Sequence, residues 1–352
     1  MNNSCIRELA SLAACAPSVN NCQPWELRWN GDELRVGFSR RLNMHSVLDA
    51  RSHANLLSVG ALMANLQNGL AANSVQYDWR WPRDPAAGNP YVTLAIDDAP
   101  DRFVLPEGPL CRHTNRFAFR DDAFDPAVVN ETSDDPYTGA RAVLLSSRSD
   151  KSALVELVRL SSEARFCNRQ LHEWLIGNLR FTPDQVERGD GLDVDTLGLT
   201  PGGRKILRLI SDWRRLSAFN KIGAYKLLAL SEIGLLAKAP GIVCIVGKAG
   251  TCSVIDAGQL MTQLWTQLNA IGIAVHPYYV VTDQINRMHE GTVAKGFELQ
   301  IADVEARMHS LLNLEPAECV HMIFRVGYPT VVPERSRRLP LQALLSDETQ
   351  FH

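Results

Sequence analysis

Two long apolar helices, 198 positions apart, are the feature that most constrains how this 352-residue chain can fold. Apolar residues recur at helical spacing over 49–72 and again over 253–271. At this offset identical residues recur: Gly60 and Gly258, Leu62 and Leu260, Met63 and Met261, Leu66 and Leu264, Leu70 and Leu268, Ala72 and Ala270. A short β-rich stretch follows each helix, which predicts a duplicated α+β unit whose long helices pack together. The alternative is that any two buried helices share Leu and Ala.

The composition is that of a folded, soluble protein, with 45% hydrophobic and 21% charged residues. The net charge of -3 predicts neither nucleic acid nor an anionic membrane as a partner. Eight cysteines form no CxxC pair and no group with metal-ligand spacing, which predicts reduced thiols, no metal site and a cytoplasmic protein. The apolar run before Cys15 is too short for a secretion signal. Charged residues interrupt the longest apolar stretch, 227–246, so no membrane-spanning helix is expected.

A polar loop, APSVNNCQPW over 16–25, lies between a predicted helix and a predicted β-hairpin. Asn21 and Gln23 each carry one acceptor and one NH2 donor, which suits the alternating acceptors and donor along the edge of a flavin ring. Ser18 suits a phosphate or ribityl hydroxyl group. The alternative is a turn that only makes local side-chain to backbone hydrogen bonds.

Two arginine-rich stretches are candidate phosphate sites. In RHTNR over 112–116, the alternation of an extended segment places Arg112, Thr114 and Arg116 on one side, where they suit a phosphate and its polyol. The tail RSRRLPL over 335–341 follows an apolar strand and the turn Gly327-Tyr328-Pro329, which would bring an arginine back to the sheet. For both stretches the alternative is a solvated run of surface charge.

Together these three motifs resemble the FMN-dependent nitroreductase superfamily. APSVNNCQPW resembles its PSxxNxQPW loop, RHTNR its RxSxR motif with Thr for Ser, and GYP followed by RSRRLPL its closing segment. In the ordinary family the RxSxR motif precedes the loop, and two chains share each flavin. Here the loop comes first, so the chain resembles the internally duplicated branch that includes the mycobacterial Acg-type proteins.

The resemblance implies an α+β, nitroreductase-like fold in which two tandem halves form an intramolecular pseudo-dimer around one FMN. Residues 1–108 would form the first half and supply the PSxxNxQPW loop. Residues 109–352 would form the second half and supply the RxTxR segment. Residues 180–238 have no counterpart in this comparison, and we expect them to be either a lid over the flavin or a structural insertion.

The resemblance also implies the cofactor-binding residues. Arg112 and Arg116 would hold the FMN phosphate and the N1/O2 edge, His113 and Thr114 the ribityl chain, and Arg338 the phosphate. Four residues of the loop would close over the flavin from the other half: Pro17, Ser18, Asn21 and Gln23. Ser336 stands where the family often has Lys, and Arg335 or Arg337 would compensate.

A strand over 273–281 is expected to end beside the flavin. By resemblance, backbone N–H groups of the segment Pro277, Tyr278, Tyr279 and Val280 would meet flavin N5 and O4, with Tyr279 and Val280 nearest N5. The family often has Glu-Gly where this chain has Tyr279-Val280. The bulkier side chains would restrict which hydride donor or substrate reaches N5.

The implied reaction is ping-pong hydride transfer. NAD(P)H would reduce FMN, and a nitroaromatic or quinone-like small molecule would accept the electrons, with no obligatory catalytic side chain. The alternatives are an FMN-dependent oxidase or dehydrogenase of a biosynthetic intermediate, and a protein that sequesters FMN without turnover. The expected assembly is a monomer with an internal pseudo-two-fold axis, or a further homodimer.

Overall fold

The computed structural model describes residues 3–39, 41, 47–81, 90–97, 102–129 and 139–351. The α-helices span Asn3–Ala14, His53–Ala72, Glu107–Cys111, Arg148–Phe166, Arg169–Gly177, Pro183–Val186, Gly203–Ile210, Trp213–Asn220, Ala224–Ile233, Thr251–Ala270, Val280–His289 and Glu298–Leu312. Among the described residues, no helix is both long enough and apolar enough to cross a bilayer. The mixture of helices and antiparallel sheets confirms the α+β class.

The first sheet is built from the N-terminal part of the chain and one strand of the tail. In spatial order its strands are Leu345–Asp347, Trp25–Trp29, Glu33–Phe38, Val92–Ile96 and Tyr77–Arg80. The hairpin turns at Asn30, whose side-chain oxygen accepts the N–H groups of Asp32 at 3.0 Å and Glu33 at 2.8 Å. The strand Leu345–Asp347 runs parallel to Trp25–Trp29, so the end of the chain returns to its beginning.

The second sheet is antiparallel. Its strands lie in the order Ala140–Leu145, Gly241–Lys248, Glu318–Gly327 and Ala274–Tyr278. The central strand Gly241–Lys248 is an apolar, β-branched run buried along nearly its whole length, as a strand covered on both faces requires. A short two-stranded parallel sheet pairs Leu179–Arg180 with Leu192–Asp193.

The two long helices, His53–Ala72 and Thr251–Ala270, pack against each other in the core, as their sequence pattern predicts. Their contact is reciprocal at the 198-residue offset. A Cβ added to Gly60 would lie 2.0 Å from the backbone oxygen of Ile255, and one added to Gly258 would lie 2.3 Å from that of Leu57. Only glycine permits this approach, since a Cβ on either helix would push the backbones apart.

The reciprocal contact has the form of an isologous interface, in which each copy presents the same patch. The division into halves nevertheless stays a prediction, because strand Leu345–Asp347 of the predicted second half pairs within the first sheet. Two predicted boundaries were wrong. The helix expected from residue 49 begins at His53. The strand expected over 273–281 ends at Tyr278, and the helix Val280–His289 begins almost at once.

Candidate functional site

A cavity lies beside the crossing of the two long helices. Counted out to its open mouth, where it merges with solvent, it encloses about 890 Å³ of empty space. Its walls come from segments far apart in sequence: Pro17, Ser18, Val19, Asn20, Asn21, Ala54, Leu57, Ser58, Arg112, Thr114, Arg116, Leu192, Met261, Trp265, Pro277, Tyr279, Met322, Ser336 and Arg338. Among the described residues, three arginines and no carboxylate line it, so this lining is cationic.

The N-terminal loop reaches the cavity in an unusual backbone conformation. Asn20, Asn21 and Gln23 have φ of 49°, 55° and 49°, the left-handed region that non-glycine residues seldom occupy. The Ser18 hydroxyl accepts the N–H of Gln23 at 2.9 Å and closes the loop. Such strain is found where the surrounding structure holds a segment for a purpose, often beside a ligand.

The amide side chains of this loop fasten it to the tail. Asn21 donates to the backbone oxygen of Arg337 at 2.9 Å, and its own oxygen accepts from Arg338. Gln23 is fully buried, donates to the oxygen of Gly189 at 2.9 Å and accepts from the N–H of Leu339 at 3.0 Å. Asn21 lines the cavity, but Gln23 does not, so the predicted flavin contact of Gln23 has no support from its position.

The RHTNR segment runs beside the edge strand of the second sheet. Asn115 donates its N–H to the oxygen of Val275 at 2.9 Å, and Arg325 donates to the oxygen of Phe117 at 2.7 Å. Arg112, Thr114 and Arg116 all line the cavity, as their alternation predicts. His113 does not line it.

His113 instead ties the segment to the long helix Thr251–Ala270. Its N–H donates to the side-chain oxygen of Asn269 at 2.9 Å, and its backbone oxygen accepts from Trp265 at 3.0 Å. Its imidazole Nδ1 lies 3.0 Å from the oxygen of Cys111. The predicted ribityl contact of His113 therefore has no support from its position.

The three arginines of the cavity are destabilised as cations. Burial, with repulsion from Arg338 and Arg335, lowers the pKa of Arg112 from 12.5 to about 9. Burial lowers the pKa of Arg116 to about 10, and burial with repulsion from Arg335 lowers that of Arg338 to about 10. Within the described residues, none of the three forms an ion pair. Arg112 is buried and Arg116 and Arg338 are half-buried. Cations held in this way without an ion-pair partner are costly, so the cluster is suited to an anion.

Unpartnered donors point to the same conclusion. Arg112 donates to the oxygen of Cys15 at 2.9 Å, and Arg338 to the same oxygen at 3.1 Å, yet the Nε atom of each is buried without a partner among the described residues. Two orphaned guanidinium donors at one wall fit a phosphate, which accepts such pairs in bidentate fashion. Arg337 does not join them, because it pairs with Glu187 at 3.1 Å on the surface.

The end of strand Ala274–Tyr278 also meets the cavity. Pro277 and Tyr279 line it, whereas the Tyr278 hydroxyl donates to the oxygen of Glu232 and the Val280 side chain packs in the core on the other side of the sheet. Tyr279 caps the helix Val280–His289, whose first N–H groups have no acceptor inside the helix. Backbone donors and the positive helix end therefore lie beside the cavity.

Three side chains at this wall, Tyr279, His53 and His321, form a hydrogen-bonded chain, and of the three only Tyr279 belongs to a motif in the sequence. The Tyr279 hydroxyl lies 3.0 Å from Nδ1 of His53, and Nε2 of His53 lies 2.9 Å from Nδ1 of His321. His321 occupies a β-bulge in the strand Glu318–Gly327. Bulges re-aim side chains and are common beside active sites. The one sequence signal for these three side chains is the polar residue His321 within an otherwise apolar strand.

The imidazoles of this chain are neutral. Burial lowers the pKa of His53 to about 3, with added repulsion from His321, and burial lowers the pKa of His321 to about 4. Carbonyl groups of Gly247 and Lys248 lie against His321, so its Nε2 carries a proton and its Nδ1 accepts. His53 then donates from Nε2 and accepts at Nδ1 from the Tyr279 hydroxyl, an assignment that follows from the network.

Residues 189–198 lie against the site. Gly189 has φ of +78°, and a Cβ there would lie 2.1 Å from the oxygen of Arg338. Leu192 lines the cavity, and Gly198 touches the backbone of Arg116, where a Cβ would lie 2.7 Å from its oxygen. Part of the predicted 180–238 insertion thus packs on the arginine wall; its action as a lid stays a prediction.

The chain is similar to FMN-dependent nitroreductases. The FMN- and NADPH-dependent nitroreductase NfnB of Sphigopyxis sp. strain HMH is 15% identical, with 68% of this chain and 96% of that chain covered and a TM-score of 0.39. NfnB of Mycobacterium smegmatis, in complex with NADPH, is 15% identical, with 64% and 86% covered and a TM-score of 0.36. An iodotyrosine deiodinase bound to FMN and 3-iodo-L-tyrosine is 12% identical, with 66% and 94% covered and a TM-score of 0.35.

No protein-family model matches the chain, and no curated protein matches it. At these identities and TM-scores, the cofactor and the reaction have to be inferred from the residues of the cavity.

Proposed function

We propose that the cavity binds one FMN and that the protein is an FMN-dependent oxidoreductase. The observation that carries this proposal is the convergence of Arg112, Arg116 and Arg338 on one cavity without a carboxylate. A phosphate monoester offers the charge and the acceptor oxygens that these guanidinium groups lack. The polar strained loop and the helix end at Tyr279 supply the hydrogen-bonding groups that an isoalloxazine edge requires.

The residues divide between the two ends of the ligand. Arg112, Arg116 and Arg338 hold the phosphate, Thr114 and Ser18 contact the polyol, and the loop with Asn21 borders the ring. FMN, when bound, supplies hydride-transfer chemistry between an electron donor and an acceptor.

The leading reaction is reduction of a small, electron-poor organic molecule, such as a nitroaromatic or a quinone, at the expense of NAD(P)H. Such a reduction consumes protons, which the acceptor takes up at its oxygen atoms. Tyr279 would donate one, and the hydrogen-bonded side chains of His53 and His321 would return a proton to it. Bulky Tyr279 also limits the thickness of the molecule that enters.

The direction of the same hydrogen bonds favours a second reaction. In the neutral chain Tyr279 donates toward His53, and His53 toward His321, so the Tyr279 hydroxyl keeps acceptor capacity at its oxygen, near which the Asn286 side chain also lies. Removal of a proton accompanies oxidation of an alcohol, amine or saturated substrate. An FMN-dependent oxidase or dehydrogenase of a biosynthetic intermediate is therefore the second candidate function.

Anaerobic reduction of the FMN-loaded protein separates these functions. We expect NADPH or NADH to bleach the flavin absorbance, and a nitroaromatic or quinone to restore it. Bleaching by an organic donor alone, with neither nicotinamide active, would assign the oxidase reaction instead. Bleaching by no donor would leave only FMN sequestration. A protein that takes up no FMN would disprove all three.

A further inference from the structure

A segment of the chain outside the cavity carries a charge opposite to that of the whole molecule. Residues 203–238, the basic segment, contain eight Lys or Arg and two acidic residues, a net charge of +6 in a chain whose net charge is -3. One of the acids, Glu232, is paired with Arg165 at 2.8 Å. Among the described residues, none of Lys205, Arg214, Arg215, Lys221 and Lys226 is in an ion pair.

The basic segment also exposes large apolar side chains. Its helices Gly203–Ile210, Trp213–Asn220 and Ala224–Ile233, with the turn between the last two, expose the following side chains wholly or in part: Ile206, Leu209, Phe219, Ile222, Leu227 and Leu230. Ile222 is 85% exposed and Leu227 is 70% exposed. Ile206 and Leu209, like Leu227 and Leu230, are three residues apart and share a helix face. Single exposed apolar residues are ordinary, but six within 25 residues of one segment are a high density along the chain.

We infer that the basic segment docks on the surface of an anionic lipid bilayer. Short amphipathic helices that present Ile, Leu and Phe among Lys and Arg bury the apolar side chains at the headgroup boundary, while the cations pair with lipid phosphates. The overall charge of -3 predicts no such partner, because the average over the chain conceals the local charge of +6.

Other occupants fit this surface less well. A second copy of the chain would oppose two surfaces of charge +6 and repel. Nucleic acid satisfies the cations but leaves six apolar side chains against a polar, wet surface. An acidic protein would satisfy both properties only with an apolar patch of its own, whereas a bilayer with anionic lipids has both properties throughout.

Vesicle flotation of the full-length protein tests the inference. We expect binding to vesicles of phosphatidylcholine mixed with phosphatidylglycerol, weak or no binding to phosphatidylcholine alone, and release at about 1 M salt, where the screening length is about 3 Å. Lys221→Gln and Lys226→Gln should each lower the partition coefficient about fivefold. Ile222→Asp should lower it at least about tenfold.

Leu299→Asp is the matched control, because Leu299 is 87% exposed on the helix Glu298–Leu312, which is rich in acidic residues. It should bind as the unmodified protein does, and neither variant should change the folded far-ultraviolet spectrum. Absence of binding to anionic vesicles would overturn the inference. An equal loss of vesicle binding in Leu299→Asp would also overturn it. So would the finding that the surface binds a second copy of the chain or an acidic protein instead, and that Ile222→Asp abolishes this binding. None of these outcomes depends on whether the cavity binds FMN.

Discussion

Replacing Arg112 by methionine separates a ligand-binding arginine from a structural one. The side chain is 4% exposed, lies over Trp265 at 4.5 Å and donates to the oxygen of Cys15 at 2.9 Å. Methionine keeps the apolar contact with Trp265 and removes only the charge and its donors. The effects on the unliganded protein and on FMN affinity should therefore have different sizes.

The stability of the unliganded protein should change little. Lowering the pKa of Arg112 from 12.5 to about 9 corresponds to an upper limit of about 5 kcal/mol for keeping the charge buried. The hydrogen bond to Cys15 offsets about 1.5–3 kcal/mol and the contact with Trp265 about 2 kcal/mol. These terms nearly cancel, so we expect Arg112→Met to shift the free energy of unfolding by no more than about 1.5 kcal/mol.

FMN affinity should fall steeply in the same variant. Two charge-assisted hydrogen bonds to a phosphate contribute about 3–6 kcal/mol together, which corresponds to roughly a 10²–10⁴-fold increase in Kd. Fluorescence titration of FMN measures the affinity, and urea unfolding of the flavin-free protein measures the stability.

Arg287→Met supplies the contrast. Arg287 is 6% exposed and pairs with Asp283 at 3.1 Å, and neither residue is among those that line the cavity. Its removal leaves a buried carboxylate without its partner, so we expect a loss of about 3–5 kcal/mol in stability with FMN affinity retained. Unchanged FMN affinity in Arg112→Met, or a stability loss equal to that of Arg287→Met, would refute the placement of the phosphate.

Three further outcomes test the packing and the histidine chain. Gly258→Ala should destabilise the protein by about 1–3 kcal/mol in urea unfolding, because its Cβ would lie 2.3 Å from a backbone oxygen. Gly177→Ala, whose Cβ would have nothing within 4 Å, should not destabilise it. Equal effects of the two variants would contradict the close helix crossing. Below pH 6.5 the unfolded histidines take up protons that His53 and His321, with pKa values of about 3 and 4, do not bind in the folded state, so stability should fall as pH falls. The double variant His53→Gln/His321→Gln should reduce that slope by about 2.5 kcal/mol per pH unit near pH 5, and an unchanged slope would refute the burial of neutral imidazoles. Tyr279→Phe should keep FMN but slow turnover by about 10²-fold or more, measured by stopped-flow reoxidation of the reduced protein with its acceptor; an unchanged rate would exclude the proton chain.

Local periodicity was enough to predict the parts of the site that lie on regular backbone. The alternation in 112–116 placed three side chains on one side, and all three line the cavity. The long helices followed from their 3.6-residue pattern, and the match of Gly60 with Gly258 anticipated their contact. In each case the residue pattern that allowed the prediction lies within one segment of the chain or is repeated in two similar helices.

The features that sequence did not predict depend on contacts between distant segments. His53 and His321 are 268 positions apart, and no local spacing relates them. Gln23 lies two residues from Asn21, yet its left-handed backbone turns its amide toward Gly189 and Leu339 rather than the cavity. The strand predicted over 273–281 extends beyond the observed strand. Val280 and Val281 are β-branched and favour a strand, but they form the start of a buried helix instead.

The number of flavins per chain follows from the three segments that occur only once in it, because all of them meet at one cavity beside the two reciprocally packed long helices. The reciprocal contact at Gly60 and Gly258 treats both long helices alike, and a true homodimer with this contact would form two equivalent clefts. In this chain the strained loop, the RHTNR segment and Arg338 each occur once, and all three meet at the same cavity. We therefore expect one FMN per chain, counted from the flavin absorbance after denaturation against the protein concentration. Two FMN per chain would require a second phosphate site that does not use these arginines, and would refute the inference that each half supplies one part of a single site.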